Sequence, residues 1–155
     1  MKILFTVFTV LILLSGCATR NAFSNLGLSE EQELALENTK DGKLVSQAQV
    51  GGVYSVVYLN NVSSNIDKNS INFYLSIYLK ESSENIKLTM NNQNPNNIKK
   101  LASENEFSHL LPKKSEWSKN YLVSFNNNEN NETINLLIES DQFSSDQLHY
   151  LKDQQ

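Results

Sequence analysis

Residues 71–80, INFYLSIYLK, alternate strictly between apolar and more polar side chains. A period of two is typical of a β-strand with one buried face, because a helix would distribute the same apolar side chains around its circumference. The segment therefore predicts a strand that packs one face on a hydrophobic core, and the side chains expected to point inward are those of Ile71, Phe73, Leu75, Ile77 and Leu79.

Other segments rich in β-branched and aromatic residues raise the expected number of strands to six or seven. They cover residues 43–50, 53–60, 85–90, 121–125, 133–140 and 147–151. Asn-rich segments separate several of them, with a turn expected at 91–97 and a hairpin loop at 126–132. Helices do not alternate regularly with these strands, so the predicted fold class is mainly β. We expect an antiparallel β-sandwich, with an immunoglobulin-like sandwich as one form and a small barrel as the alternative.

A short helix is expected before the strands, over residues 30–39. Ser29 and Gln32 have the spacing of a capping box, and glutamates in the first turn suit the helix dipole. The pair Asp41-Gly42 is expected to end this helix with a turn. Gly51-Gly52 interrupts the strand-like residues and is expected to mark a bulge or a strand bend.

The secondary structure of residues 97–111 is ambiguous from the sequence. Ile98, Leu101 and Ala102 have helical spacing, which predicts one or two helical turns that stop before Pro112.

Trp117, the only tryptophan, follows a loop and is expected to fill part of the core.

The first residues have the pattern of an exported protein. Lys2 precedes twelve residues, 3–14, that are nearly all apolar, and this stretch is too short to cross a bilayer as a helix. It ends in Leu14-Ser15-Gly16-Cys17, which resembles the lipobox of bacterial lipoproteins. The resemblance implies diacylglycerol on the Cys17 thiol, cleavage before Cys17, and acylation of the new amino terminus.

The resemblance predicts that the chain is divided into three parts. Residues 1–16 are the expected signal peptide, 17–28 a flexible tether, and 29–155 a single β-rich domain. Ala18 stands where an aspartate would imply retention in the inner membrane of a two-membrane bacterium, so we expect an outer-membrane location. The alternative is an ordinary signal peptide that leaves Cys17 as an unpaired thiol.

Charge and composition limit the partners. The formal net charge is −4, and basic residues occur in runs of two at most, which argues against nucleic acid. The expected partners are the membrane, through lipid on Cys17, and a protein or glycan of the cell envelope.

The sequence predicts no catalytic residue, no metal site and no cofactor. His109 and His149 are the only histidines, and each is expected to be an ordinary surface or strand residue. The densest acidic group near a histidine, Glu104, Glu106, His109 and Glu116, lacks the convergent His or Cys ligands of a zinc site. We therefore expect no enzymatic activity.

Two groups of residues are candidate sites. Tyr54 and Tyr58 share one face of their predicted strand, and Tyr74 and Tyr78 share the outer face of the next, so the four could form an exposed aromatic patch for a ligand. The alternatives are cross-strand pairs that only stabilise the sheet, and a face covered by the N-terminal helix. Asn131, within ENNET, resembles the extended acceptor site of bacterial N-glycosylation.

These observations favour a non-catalytic binding or accessory lipoprotein of the outer membrane. A structural subunit of an envelope assembly is the alternative, and an unpaired, exposed, apolar edge strand would favour it. A hydrolase acting on envelope material would require two convergent carboxylates or a histidine beside a serine.

Overall fold

The computed structural model describes residues 27–81, 85–112, 115–127 and 132–152. In this part of the chain, helix α1 (Glu30–Glu37) precedes nine strands. The strands are β1 (Thr39–Ser46), β2 (Gln49–Tyr58), β3 (Ser70–Leu79), β4 (Ile86–Met90), β5 (Asn97–Leu101), β6 (Lys119–Asn126), β7 (Thr133–Ser140), β8 (Phe143–Ser144) and β9 (Leu148–Leu151). A short 3-10 helix, Leu59–Asn61, follows β2.

All strand pairs are antiparallel and belong to one sheet. The order along the sheet is β4-β7-β8-β1-β2-β3-β6-β5, and β9 pairs with β7. The sheet is curled: side chains from β4, β7 and β9 lie in the same buried cluster as side chains from β2, β3 and β6. The predicted mainly-β, antiparallel fold is confirmed.

The curled sheet encloses its main core on the side that we call the core face. Ile71, Phe73, Leu75 and Ile77 all lie there, buried, as the alternation in residues 71–80 predicted. Phe73 is at the centre of an aromatic group, with ring centroids 5.4 Å from Tyr58, 6.1 Å from Phe125 and 5.4 Å from Tyr150.

The opposite side of the sheet, which we call the helix face, is covered at one end by α1. Val57 of β2 and Tyr74 of β3 lie directly opposite each other in the sheet and are buried with Ala35 of α1. Phe107, Leu110 and Leu111, from the segment between β5 and β6, complete this second cluster. Tyr74 was expected on a wetter face, but this cover excludes water from it.

Helix α1 begins as predicted. The Ser29 side chain accepts a hydrogen bond from the Gln32 backbone N–H, and the Gln32 side chain accepts one from the Ser29 N–H. The helix ends at Glu37, and Asp41-Gly42 lies within β1. The predicted turn at this pair is therefore wrong. Gly42 instead leaves room for an aromatic ring, since a Cβ atom there would lie 2.3 Å from the Tyr54 Oη atom.

Residues 43–50 form two strands and not one. Gln47 and Ala48 have φ angles of 46° and 67° and connect β1 to β2. Two positive φ angles suit a two-residue hairpin, but the pair Gln-Ala has no turn signature, so the sequence did not predict it. Gly51 falls where the register shifts from Leu44 opposite Gly52 to Val45 opposite Val50, which confirms the bulge.

Two further predictions between β4 and β7 are wrong. Residues 97–101 form strand β5, which pairs with β6, and not a helical turn. Strands β6 and β7 do not pair with each other: β6 lies between β3 and β5, whereas β7 pairs with β4, β8 and β9. The predicted hairpin between β6 and β7 is therefore wrong. The turn expected after β4 is confirmed, with positive φ angles at Asn91 and Asn92.

Candidate functional site

The four tyrosines proposed as one ligand face do not form an exposed patch. Tyr54 and Tyr58 are buried on the core face, and Tyr74 is buried under α1 on the helix face. Only Tyr78 is exposed, at 38%. The prediction of a shared patch is wrong because side chains on alternating strand positions point to opposite faces, and here both faces are covered in part. Tyr58 and Phe73 form the cross-strand pair that was the alternative.

Burial raises the pKa of three tyrosines. Burial raises the pKa of Tyr150 far above its usual range, and its phenol donates a hydrogen bond to the Val56 carbonyl oxygen at 3.1 Å. Burial also raises the pKa of Tyr54 and of Tyr74. These phenols are therefore neutral structural groups that hydrogen-bond within the domain.

A cavity lies on the part of the helix face that α1 leaves open. Its volume is about 670 Å³. Its floor is formed by β1, β2 and β3, and its walls are formed by Leu36 of α1 and by residues of the segment that leads into β6. We call this cavity the groove.

The floor of the groove is formed by two rows of side chains that the sheet register places side by side. Asp41, Ser55 and Ser76 form one row across β1, β2 and β3. Lys43 and Val53 lie opposite each other in the next row, where Tyr78 is the neighbour of Val53. The register therefore brings a carboxylate, an amine, two hydroxyls and two exposed apolar side chains to one surface.

Polar side chains lie beside apolar surface in the groove. The Ser55 hydroxyl donates a hydrogen bond to Asp41 Oδ1, which fixes this carboxylate on the floor. Thr39, Ser115 and Ser118 contribute further hydroxyls from the rim. These hydroxyl, carboxylate and amine groups provide hydrogen-bond donors and acceptors beside an apolar surface on which a ligand can pack.

Trp117 belongs to the segment that leads into β6. Ser115 and Ser118 line the groove, and Trp117 lies between them in sequence with 79% of its side chain exposed. The prediction that Trp117 fills part of the core is wrong. A tryptophan this exposed lacks the apolar contacts that usually stabilise it, and such residues are enriched in binding surfaces.

The segment between β5 and β6 is attached to α1 by two polar contacts at His109. Gln32 Nε2 donates a hydrogen bond to the His109 carbonyl oxygen at 3.1 Å. The His109 ring Nε2 lies 3.1 Å from Glu31 Oε2. These contacts, with the buried Leu110 and Leu111, fix the segment that continues into the wall of the groove.

The remaining polar candidates lie outside the groove. His109 contacts Glu31, and His149 Nδ1 lies 2.6 Å from Asn135 Oδ1. Within the described ranges, no three His, Cys, Asp or Glu side chains come together in a way that could hold a metal ion. Glu104, Glu106 and Glu116 therefore form no such group there. The absence of a catalytic or metal function stays a prediction.

Two predicted sites lie outside the described residues: the lipid attachment at Cys17 and the glycosylation at Asn131. The signal peptide and most of the tether also lie there. In the part of the chain that the structure describes, no helix has the length and apolar character needed to cross a bilayer.

Sequence reasoning did not predict the groove. Asp41 was assigned to a turn, Trp117 to the core, and the serines had no distinguishing pattern. The groove depends on the sheet register and on where α1 ends, and neither has a local sequence signal. Comparison with protein-family models, with curated proteins and with solved structures found no match to this chain.

Proposed function

We propose that this protein is a lipoprotein anchored in the outer membrane by Cys17, and that its domain is a non-catalytic binding or accessory module of the cell envelope. The single observation on which the anchor depends is the order of a basic residue, an apolar run and Leu14-Ser15-Gly16-Cys17. Two or more acyl chains on one protein hold it stably at a membrane, whereas one chain binds only weakly.

Replacement of Cys17 with alanine should abolish incorporation of a fatty-acid probe and release the protein from the membrane fraction, because no other cysteine is present. Metabolic labelling followed by membrane fractionation measures both effects. Ala18→Asp is the matched control: it should keep the label and move the protein from the outer to the inner membrane. If Cys17→Ala remains labelled, the proposed anchor is wrong.

We propose that the groove binds a glycan of the envelope. Its hydroxyls, the Asp41 carboxylate and the Lys43 amine suit the hydroxyl and amide groups of amino sugars, which both donate and accept hydrogen bonds. Val53 and Tyr78 offer exposed apolar surface on the same face. The curled sheet supports this function as a sandwich-like scaffold, because side chains of β7 and β9 pack against those of β2 and β3 across one core.

Fluorescence of Trp117 can test the glycan assignment, since this residue is the only tryptophan and lies in sequence between Ser115 and Ser118, which line the groove. Soluble β-1,4-linked N-acetylglucosamine oligosaccharides and solubilised peptidoglycan strands, added to the full chain in mild detergent, should produce a saturable change in emission. Val53→Arg should abolish the change, because a long charged side chain would occupy the floor of the groove.

Val45→Arg is the matched control for this titration. Val45 is 40% exposed and Val53 is 44% exposed, and both lie in strands, but Val45 does not line the groove. This variant should bind like the original protein. The groove would be excluded as the glycan site by an unchanged emission with both probes, or by equal loss of the signal in the two variants.

A structural role in an envelope assembly is the second candidate. Strand β5 ends the sheet and, among the described strands, pairs only with β6. Exposed sheet edges can pair with another chain.

A further inference from the structure

Strand β5 is an open edge of the sheet and carries two adjacent, exposed lysines. Asn97, Ile98, Lys99 and Lys100 are all exposed, and the side chain of Ile98 is 42% exposed. Its inner side pairs with β6, and no other described strand pairs with its outer side. The outer backbone N–H and C=O groups of such a strand can form hydrogen bonds with an added strand.

The two lysines of β5 have no acidic partner in the sheet. Lys99 lies opposite Leu122 and Lys100 lies opposite Tyr121. Across residues 27–81, 85–112, 115–127 and 132–152, no carboxylate forms an ion pair with either lysine. Two positive charges therefore remain available at an edge that can accept another strand.

Strand β4, at the other end of the sheet order, shows the contrast. It also contains a lysine, Lys87, but this residue lies opposite Glu139 of β7, and the Lys87 Nζ atom is 3.3 Å from Glu139 Oε2. The positive charge of β4 is thus paired within the domain, whereas the charges of β5 are not. The difference identifies β5 as the edge that favours a negatively charged partner.

A second copy of this chain is a poorer partner for the β5 edge than an acidic strand. An antiparallel pair of β5 strands centred on Lys99 would place the two Lys99 side chains directly opposite each other, and a parallel pair in register would oppose both lysines with their own copies. Like charges directly opposite each other destabilise strand pairing. Other registers avoid this repulsion but give the lysines no acidic partner, because β5 contains no carboxylate.

We propose that β5 is a docking edge for an extended, acidic peptide segment of another protein, which adds to the sheet as a tenth strand in the order described. Main-chain hydrogen bonds hold the segment, and its carboxylates lie opposite Lys99 on the helix face and Lys100 on the core face. Ile98 provides an apolar contact for a side chain of the partner. None of these residues lines the groove, so this inference is independent of the glycan proposal.

The test uses fluorescence anisotropy with the full chain in mild detergent. The probe is a labelled eight-residue peptide in which pairs of glutamates alternate with pairs of valines, so that each face of the extended peptide carries glutamate. The comparison peptides have lysine in place of glutamate, or have the acidic sequence with an N-methyl group on every backbone amide, which removes the N–H donors from both edges of the peptide. The acidic peptide should bind saturably and more weakly as salt is raised, because salt screens exposed charges. The lysine peptide and the N-methylated peptide should not bind.

Lys99→Glu/Lys100→Glu should weaken binding of the acidic peptide by about tenfold or more, which corresponds to about 1.4 kcal/mol, and should permit binding of the lysine peptide. Lys40→Glu/Lys80→Glu changes the net charge equally at exposed lysines away from β5 and should leave binding of the acidic peptide close to the original. Circular dichroism establishes that both variants remain folded.

Four results would overturn the proposal. The first is the absence of saturable binding by the acidic peptide. The second is equal weakening by the two double variants, which would assign the effect to net charge. The third is binding of the N-methylated peptide as tight as that of the unmodified one, which would exclude main-chain strand addition. The fourth is self-association in size-exclusion chromatography that Lys99→Glu/Lys100→Glu abolishes, which would assign the edge to a second copy of the chain.

Discussion

Replacing Phe73 with alanine should lower the free energy of unfolding by about 3–5 kcal/mol, which is a large part of the stability of a typical domain. Phe73 is completely buried, and its ring lies against those of Tyr58, Phe125 and Tyr150. Removal of the ring leaves a cavity in the middle of the core, where the two sides of the curled sheet meet. Denaturant unfolding followed by circular dichroism measures the change.

Trp117→Ala is the matched aromatic control for this measurement. The variant removes a larger side chain, but Trp117 is 79% exposed, so its loss should change the free energy of unfolding by about 0.5 kcal/mol or less. Comparable destabilisation by the two variants would contradict the placement of Trp117 on the surface.

Alkaline pH should destabilise the domain through Tyr150. In the unfolded chain a tyrosine loses its proton near pH 10, whereas burial keeps the pKa of Tyr150 well above that value in the folded state. The unfolded state therefore binds fewer protons above about pH 10, and the stability that is complete below this pH is lost as the pH rises. Linkage gives a loss of about 1.4 kcal/mol per pH unit from this residue.

Tyr150→Phe separates this contribution from other alkaline effects. The variant should be less stable near pH 7 by about 1 kcal/mol, because the Val56 carbonyl loses its hydrogen bond from the phenol. Above pH 10 its stability should decline less steeply than that of the original protein. Unfolding curves at several pH values, with tyrosinate absorbance as a second signal, measure both slopes; parallel declines would contradict the assignment to Tyr150.

Local features of this fold were predictable from sequence, and long-range features were not. Ser29 and Gln32 predicted the start of α1 because both partners of a capping box lie within one turn. The alternation in residues 71–80 predicted the core-face side chains of β3. A periodicity of two indicates which residues share a face, but not whether another element covers the opposite face, so the burial of Tyr74 under α1 could be given only as an alternative.

The errors in β5 and in the candidate site have the same physical origin. Ile98, Leu101 and Ala102 have helical spacing, yet pairing with β6 determines the conformation of Ile98 and Leu101. Tertiary contacts commonly override such weak local preferences. The groove combines Asp41, Ser55 and Ser76 from three strands, and their proximity depends on register. A single sequence contains no direct record of that register.

The order of the strands also determines when the domain can finish folding. Val45 of β1 pairs with Ser144 of β8, so the connection that curls the sheet joins residues from the two ends of the described chain. A ribosome or a secretion channel delivers the amino-terminal strands first, and they must wait for the last ones before the core can close. Pairings between residues so distant in sequence slow folding, and during this interval the apolar face of β3 stays open to aggregation or to a chaperone.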